Sequence, residues 1–339
     1  MRRVGLSIFL LGTLPLFAQT TARYINVGQA ASALVELPQG AILIDAGGET
    51  DKEDAYGDHL IDYLEKFFAK RTDLQETLTA VIISHPHIDH TKYLMDVLET
   101  FKVKNLIDGG DDAGSGIAQL KKAREFARAN GIKYRSVSDT SVRARGLELR
   151  LFGQNGPIVT LLSGSRDCEN GNNNSLGVRI KSSETTLLFT GDAEVEGDQA
   201  CDTGQLEHLR ERFAGKSLLK ADIYLVAHHG SSNGTSADFL AEVKPSITVI
   251  SAGIPQHQTP GPFHAFQFGH PRQDAVTTVM NATTGMRTAK AVTVLPKVKT
   301  TAAITMTNAV YCTCWDGDVE IAYARNATRP TVTTTGFQP

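Results

Sequence analysis

Short apolar runs, separated by Gly, Pro and polar residues, recur along the whole chain. Runs of this kind, rich in Val, Ile and Leu, are typical of buried β-strands. Between them lie segments whose apolar residues recur every three or four positions, the spacing of one helix face. The predicted strands cover residues 24–27, 33–37, 41–44, 80–83, 105–107, 148–152, 158–162, 176–180, 187–189, 223–226, 247–250, 292–295, 303–306 and 319–323. The predicted helices cover 60–68, 93–101, 117–129 and 206–213.

The two halves of the chain repeat this order, with strands dominating and helices interspersed. Sheets and helices that each have an apolar face must bury it against another layer. We therefore predict an α/β fold of two sheets packed face to face, with helices outside. The length of 339 residues suits one large domain or two small ones.

A dense group of metal-ligand side chains follows the predicted strand over 80–83. His85, His87, Asp89 and His90 fall within six positions, although the chain has only ten histidines. Zinc and similar ions take imidazole nitrogens and carboxylate oxygens, and the end of a strand can aim several of these at one point. The group predicts a metal site rather than a polar loop.

Three further apolar runs end in residues of the same type. Asp45 follows the strand over 41–44, Asp192 follows that over 187–189, and His228 and His229 follow that over 223–226. Each aspartate alone is equally well explained as a turn residue. Taken together with the histidine group, these strand ends predict one shared site at the edge of a sheet.

The amino-acid composition is typical of a globular enzyme but does not indicate a substrate. The chain is 41% apolar and 21% charged, with a formal net charge of −3, as in an ordinary globular enzyme. This charge gives no general attraction to nucleic acid or to an anionic membrane. Basic residues at 121, 122, 124 and 128 have helical spacing and predict a solvated helix face.

The amino terminus has the pattern of a secretory signal peptide. A basic start, Met1-Arg2-Arg3, precedes an apolar run over 4–17 and small residues up to 22. The run is too short for a comfortable membrane span, which takes about 20 apolar residues. We predict a signal peptide over 1–22, cleaved after Ala18 or Ala22, and a secreted or periplasmic mature chain without stable membrane insertion.

Four cysteines suit an oxidising compartment. Cys168 and Cys201 flank the strands between them and are candidates for a bridge. Cys312 and Cys314 lie two apart in what the pattern predicts to be a strand, so their side chains would point the same way and a direct bridge would be strained. Protein partners and the oligomeric state cannot be derived from the sequence.

The motifs His85-x-His87-x-Asp89-His90, Thr190-Gly191-Asp192 and His228-His229-Gly230-Ser231 resemble those of the metallo-β-lactamase superfamily. The most similar branch is the hydrolase domain of the ComEC/Rec2 competence proteins, which also shares Val27-Gly28-Gln29, Leu43-Ile44-Asp45-Ala46-Gly47, Asn173-Asn174-Ser175-Leu176 and Phe268-Gly269-His270-Pro271. The resemblance covers residues 23–275 and implies a four-layer αββα sandwich with two divalent metal ions at the sheet edge. Residues 276–327 would form a β-rich extension that completes or packs on this domain, and 328–339 a flexible tail.

The chain departs from the family pattern in two places. Many members carry another metal-binding histidine before the Thr-Gly-Asp motif, whereas residues 91–191 contain no histidine. The stretch over 172–175 takes that position, so one ion would be short of a strong ligand. The ComEC-like start usually continues Gly-Gln-Gly-Asp, and here it reads Gly28-Gln29-Ala30-Ala31.

The resemblance implies a ligand set for two ions. The residues are His85 and His87 for one ion, Asp89, His90 and His228 for the other, and Asp192 as the bridge between them. Zinc is the expected metal, with manganese as the alternative because a site short of one histidine is richer in oxygen.

The remaining site residues are predicted to position ligands or to contact the substrate. Asp45 would orient a ligand histidine from behind. Asp89, His229 and His270 are the predicted catalytic residues, and either of these two histidines would donate a proton or hold a substrate oxygen. Asn174 and Ser175 would bind the same oxygens. For His270, a loop histidine packed before a proline is an equally good interpretation.

The expected activity is hydrolysis by a metal-bridging hydroxide. The resemblance favours a phosphodiester substrate, either a small molecule or a nucleic acid. One alternative is hydrolysis at a carbonyl centre, as in a lactone, β-lactam or thioester. The other alternative is a non-catalytic exported binding protein, which the intact metal motif argues against.

Overall fold

The computed structural model describes residues 20–49, 56, 58–256, 264–325 and 327–336. The strands of these ranges, in chain order, are β1 (Thr20–Tyr24), β2 (Ala33–Leu37), β3 (Gly40–Ile44), β4 (Thr77–Leu78), β5 (Ala80–Ile82), β6 (Lys102–Val103), β7 (Asn105–Asp108), β8 (Lys133–Ser136), β9 (Leu147–Leu149), β10 (Ile158–Leu161), β11 (Val178–Lys181), β12 (Thr186–Phe189), β13 (Ile223–Leu225), β14 (Ile247–Ile250), β15 (Met286–Lys297), β16 (Thr300–Asn308), β17 (Val310–Cys312), β18 (Val319–Tyr323) and β19 (Thr331–Thr334).

The helices are short and lie mostly between strands. They are α1 (His59–Lys70), α2 (Ile88–Thr91), α3 (Leu94–Thr100), α4 (Ile117–Ala129), α5 (Gln205–Arg212), α6 (Ala237–Val243), α7 (Ala265–Phe268), α8 (Gln273–Ala282) and α9 (Thr313–Asp316). Helix α4 ends at Ala129 with Asn130 as its C-cap, and Gly131 follows with a φ of +71°, a left-handed backbone that glycine adopts without strain. None of the described helices has the length and apolar character needed to cross a membrane.

Two large sheets form the centre of the fold. One has the strand order β19-β18-β1-β2-β3-β5-β7-β8, and the other β17-β14-β13-β12-β11-β10-β9. In the first sheet β1, β2 and β3 are antiparallel, and β3, β5, β7 and β8 are parallel. The second sheet likewise changes from antiparallel over β9–β12 to parallel over β12, β13, β14 and β17.

The central strands are buried on both faces, which explains their continuous apolar runs. In β2, Val35 packs between the sheets while its neighbour Leu34 packs beneath the outer helices. In β13, Leu225 faces the other sheet and Tyr224 faces the helices on its own side. Helices α1, α3 and α4 cover the first sheet, and α5, α6 and α8 cover the second. The predicted four-layer αββα sandwich is confirmed.

The C-terminal segment is part of both sheets. Strand β17 continues the parallel part of the second sheet, while β18 pairs antiparallel with β1 in the first. The long hairpin of β15 and β16 packs with α8 on the outer face of the second sheet through Val292, Val294 and Met306. The described residues after 276 therefore contribute strands to both sheets and a hairpin that packs on the second sheet.

Strands lie at both predicted boundaries of the domain. The expected flexible tail over 328–339 contains strand β19, because Thr331–Thr334 pair in register with Val319–Ala322 at the sheet edge, and β-branched threonines favour such a strand. At the other end, Thr20–Ala22 belong to β1, which lies between β2 and β18. A boundary at residue 22 would remove these three residues from the sheet, whereas cleavage after Ala18 leaves β1 whole. The rest of the predicted signal peptide, residues 1–19, lies outside the described residues.

All four cysteines form disulfides. Cys168 is bonded to Cys201, as the sequence indicated. Cys312 is bonded to Cys314, the pairing that would be strained if both residues lay in one strand. The strand β17 ends at Cys312 and α9 begins at Thr313, so the two cysteines do not lie in one extended strand and their side chains can meet.

A partly buried ion pair joins the two halves of the chain and generates a pH-dependent contribution to stability. Asp139 accepts hydrogen bonds from Arg212 Nη1 at 2.7 Å and His208 Nε2 at 3.0 Å. Burial alone would raise the pKa of Asp139, but the effect of His208 and Arg212 is larger. Together they lower the pKa from 3.8 to about 2. A carboxylate with a lowered pKa stabilises the folded state above its unfolded pKa and loses that contribution as the pH falls through its folded pKa.

We expect Asp139→Asn to lower the free energy of unfolding by about 1–2 kcal/mol at pH 7, because it removes a charge-assisted pair. The difference from wild type should shrink as the pH falls from 4 towards 2. Urea unfolding of metal-free protein at pH 7, 4 and 3 measures both effects. Glu148→Gln removes an exposed carboxylate paired with Arg150 and should change little. An equal loss of stability at every pH would contradict this account of Asp139.

Candidate metal centre

The predicted site residues meet at one edge of the sandwich. Asp45 follows β3, His85 follows β5, Asp192 follows β12 and His229 follows β13. Because the strands of each parallel set point the same way, their carboxyl ends lie at the same edge of the sheet. The first sheet supplies the histidine group and the second sheet supplies Asp192 and His229, so the site lies where the two sheets face each other.

The loop that carries the histidine group is fixed by backbone hydrogen bonds. The carbonyl of Asp89 accepts from Ala31 N at 3.0 Å, and that of His90 accepts from Ala46 N at 2.9 Å. Gly47 permits this approach, since a Cβ at that position would lie 1.7 Å from the Asp89 carbonyl oxygen. The loop therefore lies against the first strands with no space for a larger residue at position 47.

Four ligand-type side chains form a compact group, which we call the central cluster: Asp89, His90, Asp192 and His229. One donor atom from each lies within 4.8 Å of all the others. His229 Nε2 is 3.2 Å from Asp89 Oδ2 and 3.4 Å from Asp192 Oδ2. His90 Nε2 is 3.2 Å from Asp192 Oδ1. Two imidazoles and two carboxylates directed at one point are a donor set that zinc accepts.

Hydrogen bonds from behind hold a proton on Nδ1 of both histidines in the central cluster. His90 Nδ1 lies 2.8 Å from Asp45 Oδ2, and Asp45 is itself held by Ser84 N and Oγ at 2.7 and 2.9 Å. His229 Nδ1 donates to the carbonyl of Ser251 at 2.7 Å. Nε2, which faces the carboxylates, is then the nitrogen that can release its proton to a metal ion. The contact predicted for Asp45 is present.

His85 and His87 form a second donor group beside the first. His85 Nε2 and His87 Nδ1 are 3.0 Å apart, and His85 Nε2 is 3.9 Å from Asp192 Oδ2. Burial, together with His90 and His87, lowers the pKa of His85 well below its usual value, which keeps the ring neutral and able to act as a ligand. Asp192 thus stands between two groups of nitrogen donors, the position that a bridging ligand requires.

Charge and burial at this point favour a cation. Burial raises the pKa of Asp192, but His229 and His90 hold it well below its usual range. Burial lowers the pKa of His229, yet Asp192 and Asp89 raise it to about 10. His90 Nε2 is buried and makes no hydrogen bond of good geometry. The carboxylates of Asp89 and Asp192 therefore favour positive charge beside them. A bound divalent ion would supply that charge in place of the protons on the histidine rings.

The sequence assigned His228 to a metal ion and His229 to catalysis, whereas the structure places the ring of His229 nearer to the carboxylates. His229 belongs to the central cluster, whereas His228 lies at its border, with Nε2 4.0 Å from Asp192 Oδ2 and Nδ1 3.4 Å from Glu194 Oε1. Both residues have a left-handed backbone, with φ values of 48° and 52°. The alternating side-chain directions of a strand do not apply in such a turn, so the sequence could not decide between the neighbours.

Glu194 is a neighbour of the site that sequence reasoning missed, and it lies beside Asn172. Asn172 Nδ2 donates to Glu194 Oε1 at 2.7 Å and lies 3.5 Å from His228 Nε2. Asn172 Oδ1 is buried without a hydrogen-bond partner among the described residues. The turn Gly171–Asn174 lies against His87, since a Cβ at Gly171 would be 3.0 Å from His87 Nε2. The stretch over 172–175 therefore lies beside His85 and His87, the predicted ligands of the ion that lacks a third histidine.

Asn174 and Ser175, predicted to bind substrate, make hydrogen bonds within the protein in this structure. Asn174 Oδ1 accepts from the backbone N–H groups of Arg166 and Cys168, and its Nδ2 donates to the Cys168 carbonyl at 3.0 Å. Ser175 is fully buried, and its Oγ accepts from the backbone N–H of Asp192 at 3.1 Å. Both side chains use their polar atoms inside the protein, where they shape the loop that presents Asp192.

His270 lies at the rim of the site, on the side of His228 and His229. Its ring centre is 5.2 Å from that of His228 and 6.2 Å from that of His229. Burial and these two histidines lower the pKa of His270 well below its usual value. The ring is therefore neutral and lies outside the central cluster. Such a ring can hold a substrate oxygen by donating a hydrogen bond.

An αββα sandwich with histidine and aspartate ligands at its strand ends defines a class of metal-dependent hydrolases. The family model of the Metallo-beta-lactamase superfamily matches residues 25–254, and the chain belongs to that superfamily. The protein is thus a hydrolase of the metallo-β-lactamase fold. The match covers the histidine group, Asp192 and the His228-His229 turn.

Two curated relatives support the ComEC/Rec2-like branch. The chain is 27% identical over 261 residues to ComE operon protein 3 of Bacillus subtilis, which is 73% of this chain and 30% of that protein. It is 24% identical over 232 residues to Recombination protein 2 of Haemophilus influenzae, which is 68% of this chain and 24% of that protein. The chain therefore spans less than a third of the length of these relatives.

The solved structures that the chain is similar to are more distant in sequence. The metallo-beta-lactamase fold protein YhfI of Bacillus subtilis is 15% identical, with a TM-score of 0.40 over 68% of this chain and 85% of that one. Igni18, a metallo hydrolase of Ignicoccus hospitalis, is 13% identical, with a TM-score of 0.41 over 84% of this chain and 99% of that one.

The different positions of His228 and His229 relative to the central cluster predict that they differ in their effect on metal binding. We expect His229→Ala to weaken binding of one Zn²⁺ by about 100-fold or more, because it removes a ligand of the central cluster. His228→Ala, which changes the neighbouring residue in the same way, should weaken it by less than about tenfold. Titration of metal-free protein against a chromogenic chelator measures both. The reverse order would restore the assignment made from the sequence.

Asp45 should tune the metal affinity without contacting the ion. In Asp45→Asn the backbone can keep its φ of 60°, which asparagine tolerates, but His90 loses its anionic acceptor. We expect Zn²⁺ affinity to fall about 10- to 100-fold while the protein stays folded. Asp73→Asn, which changes an exposed aspartate paired with Arg71, is the matched control. Unchanged affinity in folded Asp45→Asn protein would contradict the positioning role.

Proposed function

We propose that this hydrolase is an exported phosphodiesterase that uses two divalent metal ions, with zinc as the expected metal and manganese as the alternative. The observation that carries the proposal is the position of Asp192 between two donor groups. One group is the pair His85 and His87, and the other is the rest of the central cluster. A single ion would leave one of these groups without a partner.

The roles of the chain's own residues follow from their contacts. Asp192 would bridge the ions, Asp89, His90 and His229 would hold one of them, and His85 and His87 the other. Asp45 and the Ser251 carbonyl keep the ligand nitrogens directed at the site. Bound ions would lower the pKa of coordinated water and neutralise the charge that develops on the substrate.

The residues at the rim favour a substrate with several oxygens. His228 and His270 are the two histidines at the rim of the site. His228 is the more exposed, with 17% of its side chain accessible, and its Nδ1 lies near Glu194. His270 faces the same side. A phosphodiester group offers two non-bridging oxygens and a leaving oxygen, so one oxygen can meet the ions while another accepts a hydrogen bond from the rim. The name of Recombination protein 2 points to DNA as one candidate substrate.

The proposal of export is supported by the cysteines and the amino terminus. Both cysteine pairs are bonded, which suits an oxidising compartment rather than the cytosol. The basic and apolar start of the chain has the pattern of a signal peptide, and cleavage after Ala18 would leave β1 intact. We therefore propose a secreted or periplasmic location.

The activity is tested with metal-free protein reloaded with Zn²⁺ or Mn²⁺. The substrates are bis-p-nitrophenyl phosphate, single-stranded DNA and a chromogenic β-lactam. We expect turnover of at least one phosphodiester, and a loss of about 10³-fold or more in both His87→Ala and Asp192→Ala, because each removes a ligand of the metal centre. His59→Ala changes a histidine that binds Asp318 elsewhere and should keep full activity.

Two outcomes would overturn the proposal. Turnover of the β-lactam alone would assign the same centre to hydrolysis at a carbonyl carbon. Full metal occupancy without turnover of any of the three substrates would favour a metal-binding protein that has kept the fold without the activity.

A further inference from the structure

A buried glutamine lies between the first loop of the chain and His270. Gln29 is 3% exposed and lies between β1 and β2. Its backbone N–H donates to Glu49 Oε2 at 2.8 Å, which fixes the position of the residue. Its side chain reaches across to the second half of the chain, where it contacts Gly253 and His270. None of the roles described above uses this side chain.

The contact with Gly253 determines which way the amide of Gln29 is turned. The backbone N–H of Gly253 donates to Gln29 Oε1 at 3.1 Å. A backbone N–H is always a donor, so the oxygen of the amide must face Gly253. The amide nitrogen, Nε2, therefore faces His270 Nδ1, which is 3.2 Å away.

This orientation decides the tautomer of His270. The nitrogen of a primary amide carries two hydrogens and cannot accept a hydrogen bond, so His270 Nδ1 must be the acceptor and carries no proton. In a neutral imidazole the proton is then on Nε2. Nε2 has no hydrogen-bond partner among the described residues, and the ring lies beside His228 and His229.

We propose that Gln29 is a positioning residue that fixes His270 as a neutral hydrogen-bond donor, with its Nε2–H directed to a substrate oxygen rather than to a metal ion. The protein thus holds a proton on opposite ring nitrogens of His270 and the central histidines. Asp45 and the Ser251 carbonyl keep the proton on Nδ1 of His90 and His229, while Gln29 keeps it on Nε2 of His270. The role of His270 toward substrate rests on the proposed function, but its tautomer does not.

The tautomer is measured directly by NMR. Protein labelled with ¹⁵N only in its ten histidines gives long-range ¹H–¹⁵N spectra that separate protonated from unprotonated ring nitrogens. The signals of His270 are those missing from His270→Asn. In the metal-free wild type we expect Nδ1 to be unprotonated and Nε2 protonated, and the same pattern after Zn²⁺ is added. A protonated Nδ1, or loss of the Nε2 proton on adding Zn²⁺, would overturn the proposal.

Replacing the donor by an acceptor of the same shape tests the role of Gln29. In Gln29→Glu the carboxylate should draw a proton onto His270 Nδ1, and the NMR pattern should change accordingly. Gln29→Met removes the donor without adding charge and should give a mixture of tautomers. Gln256→Glu makes the same change at an exposed glutamine bonded to Thr293 and should leave the spectrum unchanged. An unchanged His270 pattern in folded Gln29→Glu and Gln29→Met would also overturn the proposal.

The kinetic effect should fall on kcat more than on KM. A hydrogen bond from His270 that strengthens as charge develops on a substrate oxygen acts mainly in the transition state. We therefore expect kcat on bis-p-nitrophenyl phosphate to fall roughly 10- to 100-fold in Gln29→Glu, with KM changed less than about threefold. Equal kcat in Gln29→Glu and wild type would contradict a role in the reaction. Absence of phosphodiester turnover in the wild type would count against the proposed function alone, since the NMR measurement needs no substrate.

Discussion

The site depends on one buried carboxylate that must be neutralised. Asp192 is 3% exposed, at the end of a strand covered on both faces. Transfer of an isolated carboxylate to such a place would be very costly, and it would take up a proton instead. The imidazoles of His90 and His229 prevent this, one from each sheet. The two sheets are therefore joined at this edge by charge as well as by their shared apolar core.

The groups behind the ligands come from the whole length of the chain. Asp45 and Ser84 belong to the first sheet, the Ser251 carbonyl follows a strand of the second, and Gln29 links the first loop to the segment before α8. Each helps to set which nitrogen of one ring carries a proton. Because these groups come from both halves of the chain, the metal centre forms only when both halves are folded. Its side chains are then in place before an ion or substrate binds, which reduces the free-energy cost of ordering them on binding.

The sequence predicted the parts of this arrangement that depend on periodicity and chain direction. A strand buried on both faces is an unbroken apolar run, and a polar residue directly after it lies at the sheet edge, which is why Asp45 and Asp192 could be placed. Strand β8 escaped detection because its side chains are mostly exposed and carry no apolar pattern. The roles of Asn174 and Gln29 depend on hydrogen bonds to residues distant in sequence, and no local pattern encodes such partners.

The choice between His228 and His229 was beyond sequence reasoning for a different reason. His228, His229 and Gly230 all have a left-handed backbone, with φ values of 48°, 52° and 72°. For the two histidines this conformation costs about 1–3 kcal/mol each. Hydrogen bonds from His228 N to the Gly191 carbonyl and from Arg272 N to the Gly230 carbonyl hold the turn against that cost. The strained turn presents His229 to the central cluster and His228 to the rim, so two adjacent histidines serve two different surfaces of one site.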